Sequence, residues 1–320
     1  MLFKAAVCFA VSLCAVMILM PHLIDYLKRI SFNQSVSEYS LEEYKAKAKT
    51  PIMGGVLFIA VPVAVTLAAD FRGALTPDIL VVLLTFVGYG LIGFIDDYLI
   101  AVKKNNDGLS AGQKFGMQLF LAVVFWIAYR SRARLDIDIP FTNHMLHIGK
   151  LYALLILFMF TGASNAVNLT DGMDGLAAGC EVIALIPLLI FAAVQKQYTI
   201  VIFIVSLIGA LFGYLYFNVK PAKVFMGDTG ALALGAVLAA ISMILKKELA
   251  LIAVGGIFVI ETLCVIIQQV SVRAFHKRVF IYTPIHYAFI KKGMGERQVV
   301  RMFWLCEACL ALIGLWIGLH

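Results

Sequence analysis

Apolar residues recur along this chain in ten blocks, at roughly 3–24, 52–69, 79–98, 115–130, 150–167, 176–194, 199–217, 229–245, 250–270 and 301–319. Each block approaches the ~20 residues a helix needs to cross a bilayer, and polar clusters separate them. The pattern predicts an all-α integral membrane protein of about ten transmembrane helices, built as a single polytopic domain over residues 1–320. Several blocks are shorter than ~20 residues, so tilt or local thinning of the bilayer is expected. No small-residue cleavage site follows the first block, which reads as a retained helix rather than a signal peptide. No internal repeat is visible, and this weighs against an inverted-repeat transporter.

An even number of crossings puts both termini on one side. The odd-numbered loops, 25–51, 99–114, 168–175, 218–228 and 271–301, then share the other side and carry 17 of the 26 Lys and Arg residues. By the positive-inside tendency those loops are cytoplasmic and both termini are extracytoplasmic. Composition agrees with the block pattern. Of all residues 62% are hydrophobic and only 14% charged, a balance that no soluble chain of this length can bury. Mean hydropathy is +0.95. Net charge is +7, which in a membrane protein reflects cytoplasmic loops first and anionic ligands second. The six cysteines all lie in apolar runs without metal-type grouping, and Cys306 and Cys309 read as inert thiols on a helix.

The carboxylates change the picture. Asp96, Asp97, Asp171, Asp174 and Asp228 all fall at the cytoplasmic ends of segments three, five, six and eight. A carboxylate near bilayer depth costs about 2.5–3.5 kcal/mol, so five at one face imply a site there. Adjacent helical positions diverge by ~100°, so Asp96 and Asp97 cannot address one atom together. One of them could serve a metal and the other act as a base. The stretch Asn165-Ala-Val-Asn-Leu-Thr-Asp-Gly-Met-Asp-Gly175 concentrates two amides, a hydroxyl and two carboxylates. Asp171 and Asp174 could share a helix face, or serve as an Asx-turn and N-cap for the next segment. Asp228, in Phe225-Met-Gly-Asp-Thr-Gly, could cap segment eight or hold Mg²⁺, which favours a few carboxylates with phosphate oxygens and water. Lys45, Lys47 and Lys49 precede Thr50-Pro-Ile-Met-Gly-Gly, as topology charges or as counter-charges to a diphosphate. The basic loop 271–300 carries Pro284-Ile-His286 at its middle. Walker loops, HExxH, Gly-x-Ser-x-Gly and nucleic-acid modules are absent from the sequence, so no nucleic-acid partner is expected.

Taken in order, Thr50-Pro-Ile-Met-Gly-Gly, Gly93-Phe-Ile-Asp-Asp-Tyr, Asn165 through Gly175, Phe225-Met-Gly-Asp-Thr-Gly and Pro284-Ile-His resemble the motifs of the polyprenyl-phosphate N-acetylhexosamine-1-phosphate transferases. The likeness covers nearly the whole chain. The Thr-Pro-Ile-Met-Gly-Gly and Pro-Ile-His forms favour the muramoyl branch over a sister that uses UDP-GlcNAc. The resemblance implies an enzyme of the bacterial inner membrane that joins undecaprenyl phosphate to UDP-MurNAc-pentapeptide, releasing UMP and forming lipid I for peptidoglycan. It also implies Mg²⁺ and a homodimer. By motif position the catalytic set is Asp96, Asp97, Asp228 and His286, with Asp228 the Mg²⁺ ligand, Asp96 the base and Asp97 in support. Asp171 with the Gly172 backbone and Asn218 would face the uridine, with Phe225 stacked on uracil and Asp174 in the substrate-binding set. Asn165, Asn168, Lys47, Lys114 and His286 would line the diphosphate and sugar. The chain departs from the family pattern at Ile100 and Asp107, each where a Lys is usual, and at Tyr287 and Ala288, where two further histidines are usual. A different class, a cation-coupled transporter, is motivated by Glu181, Glu261 and Glu307 inside apolar runs; they lie on separate helices without lysine partners in register, and each could equally bond to a neighbouring helix.

Overall fold

A computed structural model of the protein describes residues 1–30, 50–69, 75–103, 108–131, 134–142 and 144–320. Among these, nine helices are long and apolar enough to cross a membrane, and the shorter apolar helix Gly55–Ala69 makes ten. In chain order they are α1 (Leu2–Arg29), α2 (Gly55–Ala69), α3 (Pro77–Lys103), α4 (Ala111–Tyr129), α5 (Tyr152–Thr170), α6 (Leu176–Val194), α7 (Tyr198–Asn218) and α8 (Gly227–Ile244). After these come the short α9 (Glu248–Val254), then α10 (Gly256–Phe275), the short α11 (Ile285–Lys291) and α12 (Glu296–Leu319).

Three differences from the sequence expectation have local causes. The block expected at 250–270 is two helices, because the chain breaks at Gly255, which has φ −109° and ψ 40°. The block expected at 115–130 starts earlier, at Ala111, because Ser110 and Gln113 form a reciprocal capping box. The loop before α5 adds a small antiparallel pair, β1 (Asp136–Asp138) with β2 (Met145–His147), to what is otherwise the expected all-α membrane fold.

α7 and α8 are the most enclosed helices of the bundle. α8 is rich in Ala and Gly, and these small residues let neighbouring backbones come close. α3 and α5 run along it, and Gly235 of α8 lies directly against Ala163 of α5. At Gly93 of α3 a side chain would overlap the carbonyl of Asp228, so only glycine lets α3 and the start of α8 meet at this distance. This contact sets the position of the acidic cluster.

The ends of the bundle differ in character. α1 runs parallel to α7, with Phe9 against Gly209 and Leu13 against Gly213, so Met1 lies at the Tyr198 end. The His320 carbonyl accepts a hydrogen bond from Phe141 N at 3.1 Å, beside the β pair, at that same end. Lys246, Glu248 and Tyr152 form a buried ionic network there. Both termini therefore sit opposite the start of α8, as an even number of crossings requires. Asp96, Asp97, Asp171, Asp174 and Asp228 occupy the other end.

Candidate active site

Lys114 organises the first part of the site. It lies one turn into α4, and its Nζ is 2.6 Å from Asp228 Oδ2 and 3.2 Å from Asp96 Oδ2. Three helices thus meet through one ammonium. Asp96 is almost closed off, with 6% of its side chain exposed, and its Oδ1 accepts the Leu109 amide at 2.7 Å. Asp228 and Lys114 are each 21% exposed, so these two are the groups a dissolved ligand reaches first.

Asp97 does a different job from its neighbour. Its Oδ1 accepts the Asp228 amide at 3.1 Å, and its Oδ2 accepts the Thr229 amide at 2.9 Å and the Thr229 hydroxyl at 2.6 Å. These amides belong to the first turn of α8, where backbone N–H groups lack partners within the helix. Asp97 caps α8 from α3, and the ~100° divergence between adjacent positions is what sends the two carboxylates to different tasks. Gly227, at φ +70°, makes the turn into this cap.

The second part of the site is the turn between α5 and α6 with the loop 218–226. Asp171 ends α5, and its amide is bonded to the Val167 and Asn168 carbonyls. Asp174 is buried and accepts the Ala222 amide at 2.9 Å, while its own amide donates to Glu296 at 3.1 Å. Glu296 also takes Lys220 at 2.6 Å. Asn218 accepts from Gly175 N at 3.0 Å and donates to the Val224 carbonyl at 2.9 Å. Both ends of its amide are thus engaged by backbone, and its contribution is to the shape of the loop. Phe225 is half-buried and packs against Leu27, Ile52 and Met53, its backbone paired to Pro51 and Gly54. Segment 218–228 therefore joins the turn to the Lys114 cluster. Asn165 is exposed and donates to the Thr161 carbonyl at 2.7 Å; Asn168 is half-buried one turn later.

His286 is fully buried at the start of α11, with its Nδ1 2.9 Å from Glu261. Tyr287, the first departure from the family triplet, donates its hydroxyl to the Gly172 carbonyl at 3.0 Å. Burial pushes the Tyr287 pKa upward, so this group remains a donor. From the sequence, Glu261 reads either as a transport carboxylate or as a bond to a neighbouring helix, and the structure shows the second; Glu296 carries no such signal. A carboxylate in an apolar run with no basic partner was the available signal. Of the other two, Glu307 accepts the Ile257 amide at 2.8 Å, and Glu181 is buried without a hydrogen-bond partner among the described residues. Lys47 and Asp107 lie outside the described residues.

No group of three or more His, Cys, Asp or Glu that could hold a metal occurs among the described residues. The donor set still suits Mg²⁺. Asp228, with 21% of its side chain exposed, could supply a hard oxygen and would leave most of a six-coordinate shell to phosphate and water. Asp97 fits that role poorly, since both its oxygens already accept backbone hydrogen bonds.

A family model described as glycosyl transferase family 4 matches residues 79–246, the span that carries the Lys114 cluster and the 171–175 turn. Phospho-N-acetylmuramoyl-pentapeptide-transferase of Staphylococcus epidermidis is 44% identical over 97% of this chain and 98% of its own. The protein of the same name from Staphylococcus haemolyticus is 44% identical, with both chains covered in full. That from Staphylococcus carnosus is 43% identical over 99% of this chain and 98% of its own.

Proposed function

The chain belongs to the phospho-N-acetylmuramoyl-pentapeptide-transferase family, and from that membership and the geometry around Lys114 we infer the reaction it carries out. It is a multi-pass membrane transferase of peptidoglycan synthesis that takes phospho-MurNAc-pentapeptide from UDP-MurNAc-pentapeptide. The acceptor is undecaprenyl phosphate, and the products are lipid I and UMP. The reacting end faces the cytoplasm, where the soluble donor is made and where most Lys and Arg residues lie. The protein works in the bacterial inner membrane as a homodimer.

Phosphoryl transfer needs alignment and charge neutralisation more than covalent chemistry from the protein. Asp228 and Lys114 are the most accessible members of the part-buried cluster and meet the donor's diphosphate. Asp228 would hold Mg²⁺, which neutralises phosphate charge and eases departure of UMP. Asp96, nearly closed and ion-paired to Lys114, takes the proton of the lipid phosphate so that its oxygen attacks the sugar-linked phosphorus. Asp97 holds the first turn of α8, and with it Asp228, at a fixed distance from α3. Asp171, Gly172 and Phe225 border the nucleotide, with Asn165 and Asn168 toward the sugar. A membrane-surface site follows from the chemistry, because one substrate is a lipid and the other is dissolved.

The observation that carries this reading is the single ammonium of Lys114 shared by Asp96 and Asp228 on separate helices. Purified protein should release UMP only when Mg²⁺, prenyl phosphate and UDP-MurNAc-pentapeptide are all present. UMP release with UDP-GlcNAc instead would move the chain to the sister branch.

A further inference from the structure

Among the wholly buried carboxylates that the transfer reaction does not use, Glu261 of α10 is the one that holds a residue of the site. It is not idle. Its Oε2 accepts the Ile285 amide at 2.7 Å, and its Oε1 accepts the His286 amide at 3.2 Å and faces His286 Nδ1 at 2.9 Å. The first amides of α11 and the ring of its second residue are all held by this one side chain.

Nδ1 is the ring nitrogen that Glu261 engages, and Nε2 is the one left facing the turn after α5. Nε2 is buried and has no hydrogen-bond partner among the described residues. It points at the backbone of Gly172, where a methyl group would overlap it. Tyr287, next along, donates to the carbonyl of that same Gly172 at 3.0 Å. The turn after α5 thus rests on two consecutive rings of α11, and one of those rings is oriented by Glu261. A purely structural prop would be apolar here, since an unpaired ring nitrogen in a closed space is unfavourable.

We propose that Glu261 is a positioning residue for the transfer reaction. It fixes the His286 ring, and His286 with Tyr287 sets the Asp171–Gly172 turn against the nucleotide-sugar. The inference rests on the transferase reading above. Glu261 touches neither substrate and acts only through α11, so its influence reaches the nucleotide side of the site and not the lipid side. This also accounts for the tolerance of Tyr at 287, because a phenol hydroxyl reaches the Gly172 carbonyl as a donor.

The test uses full-length protein in detergent and measures UMP release with both substrates varied. Glu261→Gln keeps the shape but replaces one acceptor oxygen with a donor. It should raise KM for UDP-MurNAc-pentapeptide about tenfold while leaving KM for undecaprenyl phosphate within about twofold. Tyr287→Phe, which leaves Glu261 untouched, should move the same KM in the same direction, by about threefold. In a His286→Asn background the Glu261→Gln effect should largely vanish, since coupled residues are not additive. Equal losses for both substrates, or full additivity with His286→Asn, would reduce Glu261 to a packing residue. Should Glu261→Gln fail to fold, an unchanged KM in Tyr287→Phe overturns the proposal. A wild-type protein that releases no UMP sinks the transferase reading itself, whereas an active wild type with unaltered variants sinks only this inference.

Discussion

Asp97 holds Thr229 by two bonds to one oxygen, 2.9 Å from its amide and 2.6 Å from its hydroxyl, so a carboxylate on α3 serves as the N-terminal cap of α8. Asp96, one residue earlier, faces Lys114 instead. The two should part company on mutation. Asp97→Asn puts an amide donor against donors and should cost about 1–3 kcal/mol of stability. Asp96→Asn keeps an oxygen for the Leu109 amide, so thermal unfolding should change little while transfer falls at least about a hundredfold. Equal unfolding losses for the two variants would contradict this division.

Asp228 is the more accessible carboxylate of the cluster, with 21% of its side chain exposed, and the one proposed to hold Mg²⁺. Asp228→Asn should abolish transfer in the UMP-release assay without loss of a folded, monodisperse protein in detergent. Turnover above about a tenth of wild type would remove Asp228 from the metal role.

Gly93 is where α3 meets the Asp228 carbonyl, and there the neighbour is backbone that cannot swing aside. Gly93→Ala should therefore lower stability by about 1–3 kcal/mol and cut transfer sharply, because the shift displaces Asp228 from Lys114. Gly116, which has open space around it on α4, is the control: Gly116→Ala should leave transfer unchanged and not lower stability, since Ala favours a helix over Gly by about 0.5–1 kcal/mol.

Asp174 and Glu296 fasten the loop 218–226 through Ala222, Lys220 and the Asp174 amide. Asp174→Ala should raise KM for UDP-MurNAc-pentapeptide by about tenfold and lower the unfolding temperature as well. Glu296→Gln should do the same more weakly. A variant that alters catalysis alone would instead place Asp174 in contact with substrate.

The spans, their number and the gathering of the aspartates at one end were legible because each depends on short-range pattern: apolar run length, and polar residues at run ends. What one residue does to another far along the chain was not. Asp97 and Thr229 are 132 positions apart, and nothing local marks Asp97 rather than Asp96 as the cap. Asn218 and Asp174 carry polar groups of the kind a ligand site uses, yet the fold pairs them with backbone groups of a loop that only it brings near. The break at Gly255 was hidden for another reason, since apolar residues continue on both sides and run length does not register a turn. Glu261 was visible as an anomaly in an apolar run, but its meaning needed α11 beside it.

Because Met1 and His320 both emerge at the end away from Asp228, either can carry an affinity handle without crowding the reacting mouth. Protein immobilised on a bead through either residue would present the Lys114 cluster outward, so captured protein can be screened for soluble ligands in place.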